Sequence, residues 1–198
     1  MGATIRLATE DDAEQMLAIY APIIRDTSIS FELEPPSLEE FRRRIREVTS
    51  YAPWLVCQRD GEVLGYACAA HYRVRAAYRW SVEGSLYVHS GYKRRGIGTA
   101  LSTSLFQCLR VLGYYNIYAC IALPNEASVS NAERLGFRPV GVFHSTGFTK
   151  GAWRDVGWWE LRLQEYPPSP ADPLRPGDVL GTPEWADALW AGLQCLRL

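Results

Sequence analysis

Two places in the sequence carry residue types that could do chemistry. The stretch KRRGIGT, from Lys93 to Thr99, sets Lys93, Arg94 and Arg95 beside Gly96 and Gly98, with Ile97 between the glycines, at the start of an amphipathic run. A helix beginning there leaves its first backbone N–H groups unpaired, and its dipole adds partial positive charge at the same end. Glycines at 96 and 98 have no side chain to hold an anion away from those amides, so the turn suits a phosphate and fits a diphosphate best. A plain basic turn capped by a helix is the alternative. The second place is Glu83, a carboxylate inside the otherwise apolar SVEGSLYV. Partial desolvation at a sheet surface would raise its pKa and make it a base near neutral pH, whereas strand alternation alone would make it a solvent-facing residue.

Other candidates are weaker. Asn125, directly after Pro124, is a good N-cap for the segment that follows. Arg75 offers a planar fork suited to a carboxylate or phosphinate, but Arg73 and Arg79 lie close by, so this segment also reads as a solvated basic edge. His71, His89 and His144 each read as structural or solvated, with contact to the site as the alternative for His89, which starts the basic turn. A Walker-type loop needs Gly-Lys followed by Ser or Thr, and a dinucleotide fingerprint needs a third glycine and a downstream acid; neither pattern is present. His, Cys, Asp and Glu form no ligand cluster, so no metal is expected. The five cysteines show no metal or redox spacing and read as reduced, small hydrophobes.

The elements that must position these residues are legible from periodicity and punctuation. ATIRLA alternates as a strand, and the run after Thr9 places Ala13, Met16, Leu17 and Tyr20 at helical spacing. Ser37 and Glu40 form a capping box ahead of Phe41, Ile45 and Val48, which predicts a second helix. Asp60-Gly61 splits two β-rich runs and predicts an antiparallel hairpin. RWSVEGSLYV is a further strand, and a helix runs from about Gly96 to Leu112, stopped by Gly113. YYNIYACIAL is apolar enough for a central strand, NEASVSNAERLGF gives a short helix, and the segment to Leu163 reads as a strand pair. This order predicts a mixed α/β (α+β) domain, its sheet mostly antiparallel and flanked by helices. Residues 1–165 form that domain, and 166–198 form a Pro-rich linker and a helical tail whose apolar seam is Trp185, Leu189 and Leu193.

Composition narrows the class. At 198 residues and 47% apolar, the chain buries one sizeable core. A net charge of -1 gives no global attraction to nucleic acid or to acidic membranes. The N-terminus lacks an apolar signal core and no run approaches the ~20 apolar residues of a membrane span. A cytoplasmic location with no nucleic-acid or membrane partner is expected.

The basic turn resembles the R/Q-x-x-G-x-G/A signature of the GNAT superfamily of N-acetyltransferases, with Lys93 at its first position. Over roughly four fifths of the chain, Ile5 to Leu163, the sequence is similar to the phosphinothricin and methionine sulfoximine acetyltransferase branch. The matching segments are SISFELEPP, YAPWLV, RAAYRWSVEGSLYV, LPNEASV, ERLGF and GAWRDVGWWEL.

The resemblance implies a GNAT fold whose central strands splay to admit acetyl-CoA as co-substrate. It implies that Glu83 is the catalytic carboxylate and that Leu86, Tyr87 and Val88 line the cofactor strand, with the Val88 amide polarising the acyl carbonyl. It also implies that Lys93 to Thr99 and Asn125 contact the cofactor, and that Phe31, Arg75 and Tyr78 line a pocket for a small-molecule amine. A homodimer follows too, with Trp158, Trp159, Trp185 and Trp190 as material for an interface. One departure stands out: Ala132 occupies the position where this branch has His and many relatives have a Tyr general acid. Thr149 stands where the branch commonly has Lys. Another amine acceptor, or a non-catalytic acetyl-CoA-binding module, stays open as an alternative.

Overall fold

The computed structural model describes residues 2–198. Its strands are β1 (Thr4–Leu7), β2 (Trp54–Arg59), β3 (Glu62–His71), β4 (Ser81–Val88), β5 (Asn116–Leu123), β6 (Arg138–Thr149) and β7 (Ala152–Arg162). Helices α1 (Ala13–Asp26), α2 (Leu38–Thr49), α3 (Ile97–Val111) and α4 (Glu126–Arg134) lie among them, and α5 (Pro176–Val179) and α6 (Pro183–Ala191) follow the last strand. One seven-stranded sheet runs in the order β1-β2-β3-β4-β5-β7-β6. Every neighbouring pair is antiparallel except β4 and β5, which are parallel. A parallel step needs a crossover connection, and α3 supplies it. That is why the glycine turn lies at the C-terminal end of β4.

Local chemistry explains the boundaries. Asp60 and Gly61 adopt φ of 52° and 84°, the pair of positive values that lets a two-residue hairpin follow the twist of β2 and β3. Ser37 Oγ accepts the Glu40 N–H at 3.2 Å and starts α2. Gly113, at φ 84°, turns the chain out of α3. The helical spacing after Thr9 resolves into a 3-10 turn, Glu10–Asp12, before α1 begins. Asp12 is buried there, held by two Arg6 nitrogens at 2.7 Å and by the Thr9 N–H at 2.7 Å, and this tightens the first turn.

The sheet buries one core on each face. Val82, Ile97, Leu101, Leu105, Leu109 and Ile117 belong to the core under α3. Met16, Ile24, Phe41, Ile45, Trp54 and Tyr66 belong to the core under α1 and α2. The tail joins the first of these: Val179, Trp185 and Ala188 are buried in it, with Leu189 and Leu193 packed against it. Two of the tryptophans expected at an interface are therefore interior, Trp159 at 6% and Trp185 at 3% exposure, while Trp190 is exposed. All five cysteines are free thiols, and among the described residues no His/Cys/Asp/Glu group could hold a metal ion. No helix among them is long and apolar enough to cross a membrane.

Candidate active site

The pairing of β4 with β5 covers only Ser81, Val82 and Glu83 against Asn116, Ile117 and Tyr118. Both strands continue, to Val88 and Leu123, without pairing to each other. The backbone groups there lose their ladder partners, leaving a wedge-shaped gap in the middle of the sheet. His89 N–H donates to Leu64 O on β3 at 3.0 Å. Backbone groups alternate sides along a strand, so the amides of Leu86 and Val88 face the opposite way, into the gap.

A cleft of about 860 Å³ fills this gap. Its lining draws on Leu86, Tyr87 and Val88, on the turn at Lys93, Arg94, Gly96, Ile97, Gly98 and Thr99, and on Asn125. Arg95 is the expected cofactor residue outside it, because its guanidinium lies over the Tyr92 ring, 5.4 Å from the centroid. Gly96 caps α3 with φ 80°, a left-handed conformation that an L side chain would strain. At Gly98 an added Cβ would reach Leu86 Cδ2 at 3.4 Å, so the bare glycine keeps the gap mouth open. Asn125 caps α4 by accepting the Ser128 N–H at 3.1 Å while lining the cleft, so its two expected positions coincide.

Glu83 stands at the closed end of the gap, just before the lining residues Gly84 and Ser85. By alternation it shares a face with Tyr87, whose ring packs 4.7 Å from Tyr20 on the α1 side. Burial raises its pKa above the ordinary carboxylate value, and the positive charge of Arg73 offsets part of that rise. The Arg73 guanidinium lies 4.3 Å from the centroid of Tyr72 and 5.4 Å from that of Trp158. Tyr72 in turn stacks on Tyr118 at 4.4 Å, and Tyr118 is the register partner of Glu83.

Sequence reasoning did not find this aromatic wall of Tyr72, Tyr118 and Trp158, nor the place of Arg73 in it. Its members come from three separated segments, and only the outward alternation of Tyr118 on β5 could have hinted at it. The Trp158 indole N–H is buried and finds no acceptor among the described residues. Tyr78 touches the wall edge-on through Tyr72 at 5.8 Å. Arg75 precedes the 3-10 turn Ala76–Tyr78 and is exposed. Phe31 lies against Gly147 on β6, where any side chain would collide with its ring. Ala132 is 5% exposed and lines the cleft beside Asn131, so a methyl group stands where a proton donor was sought.

Comparison with known proteins agrees with this geometry. Residues 5–158 match the acetyltransferase (GNAT) domain family. The chain is 34% identical to a phosphinothricin N-acetyltransferase of Streptomyces viridochromogenes over 172 residues, 87% of this chain and 93% of the relative. It is 32% identical to an L-methionine sulfoximine/L-methionine sulfone acetyltransferase of Pseudomonas aeruginosa, over 82% of this chain and 96% of the relative. Among solved structures, a GNAT superfamily phosphinothricin acetyltransferase from Sinorhizobium meliloti in complex with AcCoA superposes with a TM-score of 0.81 at 32% identity, covering 89% of this chain and 97% of that one. With the internal gap, the glycine turn and the matched domain together, the chain belongs to the GNAT family of acetyltransferases, the enzymes that use acetyl-CoA.

Proposed function

We propose that this chain transfers the acetyl group of acetyl-CoA to the α-amine of a phosphinothricin- or methionine sulfoximine-like amino acid. The observation that carries the reading is the end of β4–β5 pairing at Glu83: the cleft begins where a carboxylate of raised pKa meets an aromatic wall holding Arg73. The relatives that cover most of the chain act, by their names, on these compounds.

Acetyl-CoA supplies the activated acetyl group, and the chain's residues do the rest. The Leu86 and Val88 amides would hold the pantetheine arm as an added strand, and the Val88 N–H would polarise the acyl carbonyl. Lys93, Arg94 and the amides from Gly96 to Thr99 would take the pyrophosphate, with Asn125 opposite. Glu83 accepts the proton of the acceptor's ammonium, directly or through water, which frees the nitrogen lone pair for attack. Arg73 and the unpaired Trp158 N–H suit the acceptor's carboxylate or phosphinate, and Tyr72 and Tyr118 exclude water around it. In this reading Arg75 and Tyr78, on the β3–β4 connection, and Phe31, on the α1–α2 connection, would line the acceptor's pocket. Ala132 carries no proton, so the departing thiolate takes its proton from water, which its modest basicity permits.

A homodimer in the cytoplasm belongs to the same reading. Exposed Phe148 and Trp153, packed on each other at the β6–β7 turn, provide apolar surface that a second copy would cover. Thiol release with acetyl-CoA tests the reading, using phosphinothricin, methionine sulfoximine and methionine sulfone beside common amino acids, a polyamine and an aminoglycoside. Turnover confined to the first three supports it. Turnover only on other amines discards the substrate, and cofactor binding without turnover on any of them discards the catalysis.

A further inference from the structure

The segment after α6 runs back to the glycine turn and is fastened there by backbone contacts. Ser104, in the middle of α3, donates to Leu189 O at 2.7 Å and accepts the Gly192 N–H at 3.1 Å. Gly192 lies so close to Ala100 O that no Cβ would fit between them. Three residues on, the Cys195 carbonyl occupies the space into which any side chain at Gly96 would project. The Arg197 N–H then donates to Arg95 O at 3.0 Å. The tail thus touches the turn at two successive residues.

This approach changes what the cleft is made of. Gln194, Cys195 and Arg197 line it together with Lys93 and Arg94 of the turn. The Arg197 backbone is fixed by its bond to Arg95, while its side chain is exposed and has no hydrogen bond, ion pair or ring contact among the described residues. Arg95, by contrast, is directed onto Tyr92 and is absent from the lining. Apart from Arg134, which is held on α4 by Asn131 Oδ1 at 2.8 Å, the cations lining the cleft are Lys93, Arg94 and Arg197. The third comes from a segment outside the matched domain, which ends at residue 158.

We propose that residues 192–197 form the outer wall of the cofactor site, and that Arg197 is a binding residue for the phosphates at the nucleotide end of acetyl-CoA. The proposal rests on acetyl-CoA being the cofactor. Coenzyme A carries a pyrophosphate and a 3′-phosphate at that end and none on its thiol arm, so the demand for cations is concentrated there. A guanidinium presents paired N–H donors that match phosphate oxygens.

Calorimetric binding of coenzyme A, 3′-dephospho-coenzyme A and S-acetylpantetheine to the full-length chain and to Arg197→Gln tests this. The exposed position makes the variant safe for folding, and its melting temperature checks that. Arg197→Gln is expected to bind coenzyme A about tenfold more weakly, the weight of one charge-assisted contact, and to bind S-acetylpantetheine unchanged. The difference should shrink as salt is raised. A loss that persists with dephospho-coenzyme A assigns Arg197 to the pyrophosphate, and a loss that disappears assigns it to the 3′-phosphate; either supports the proposal. Equal coenzyme A affinity in the two proteins, tighter binding by the variant, or an equal loss for S-acetylpantetheine overturns it. If the unmodified chain binds no coenzyme A, the cofactor assignment fails first and the proposal with it.

Discussion

Ser104 is the clearest single lever on the tail. Its side chain is fully buried and makes two hydrogen bonds, donating to Leu189 O at 2.7 Å and accepting from Gly192 N at 3.1 Å. Leu189 lies in the last turn of α6, where carbonyls have no helical partner, so Ser104 meets a need the helix cannot meet itself. Ser104→Ala removes both bonds and leaves two main-chain groups in a site that water does not reach. At about 0.5–1.5 kcal/mol for each bond, the variant should lose about 1–3 kcal/mol. With a urea m-value of about 2–3 kcal/mol/M for a chain of this size, the midpoint should fall by about 0.3–1.5 M with the slope unchanged. The seven tryptophans, two of them buried around this packing, make fluorescence a direct readout. A midpoint drop below about 0.2 M would refute the reasoning, since it would mean that the two groups find other partners or that the tail contributes little to the fold.

Glu83→Gln should lower kcat by about 10²–10⁴-fold, and the acid limb of the pH–rate profile, placed above the ordinary carboxylate range by burial, should vanish with it. The same substitution has a stability signature. A carboxyl whose folded pKa is raised stabilises the fold below its unfolded pKa and loses that as pH rises through the folded value, so Glu83→Gln should melt higher than the parent near neutral pH and no higher in acid. Asp12 behaves oppositely: burial works against its ionised form, but the Arg6 and Thr9 bonds prevail and hold its pKa below the usual value. Its stabilisation is present above the ordinary carboxylate pKa and lost as pH falls, so Asp12→Asn should flatten the acid side of a plot of urea midpoint against pH. Gly96→Ala should weaken coenzyme A binding more than tenfold, because it strains a φ of 80° and collides with the Cys195 carbonyl, whereas Gly177→Ala, with open space around it, should leave binding unchanged.

Much of this was legible because the informative residues act locally. Asp60-Gly61 declares its turn through backbone sterics, Ser37 its helix through one hydrogen bond, and Gly96 and Gly98 their turn through absent side chains. Glu83 was conspicuous as a charge among apolar neighbours. What could not be read depends on distant segments meeting. Tyr72 just past β3, Tyr118 on β5 and Trp158 on β7 are ordinary aromatics until the sheet order brings their segments together around Arg73. Ser104 and Gly192 lie 88 residues apart, and nothing in either neighbourhood announces the other. The first helix was placed from Thr9 because apolar spacing is blind to the Arg6–Asp12 pair that tightens its opening turn.

The early end of β4–β5 pairing also bears on how this protein avoids sticking to others. An unpaired strand edge is a template that will take up any extended chain, and proteins usually guard such edges with charges, prolines or bulges. Here the open edge is not at the rim of the sheet but in its middle, between flanks of four and three strands. A foreign β-strand, with side chains on both faces, meets α3 and α4 before it can reach that edge, while a slender chain of methylenes and amides does not. The interior position therefore acts as a size filter. The molecule keeps a backbone surface eager for a partner, and only a ligand thinner than a polypeptide can use it.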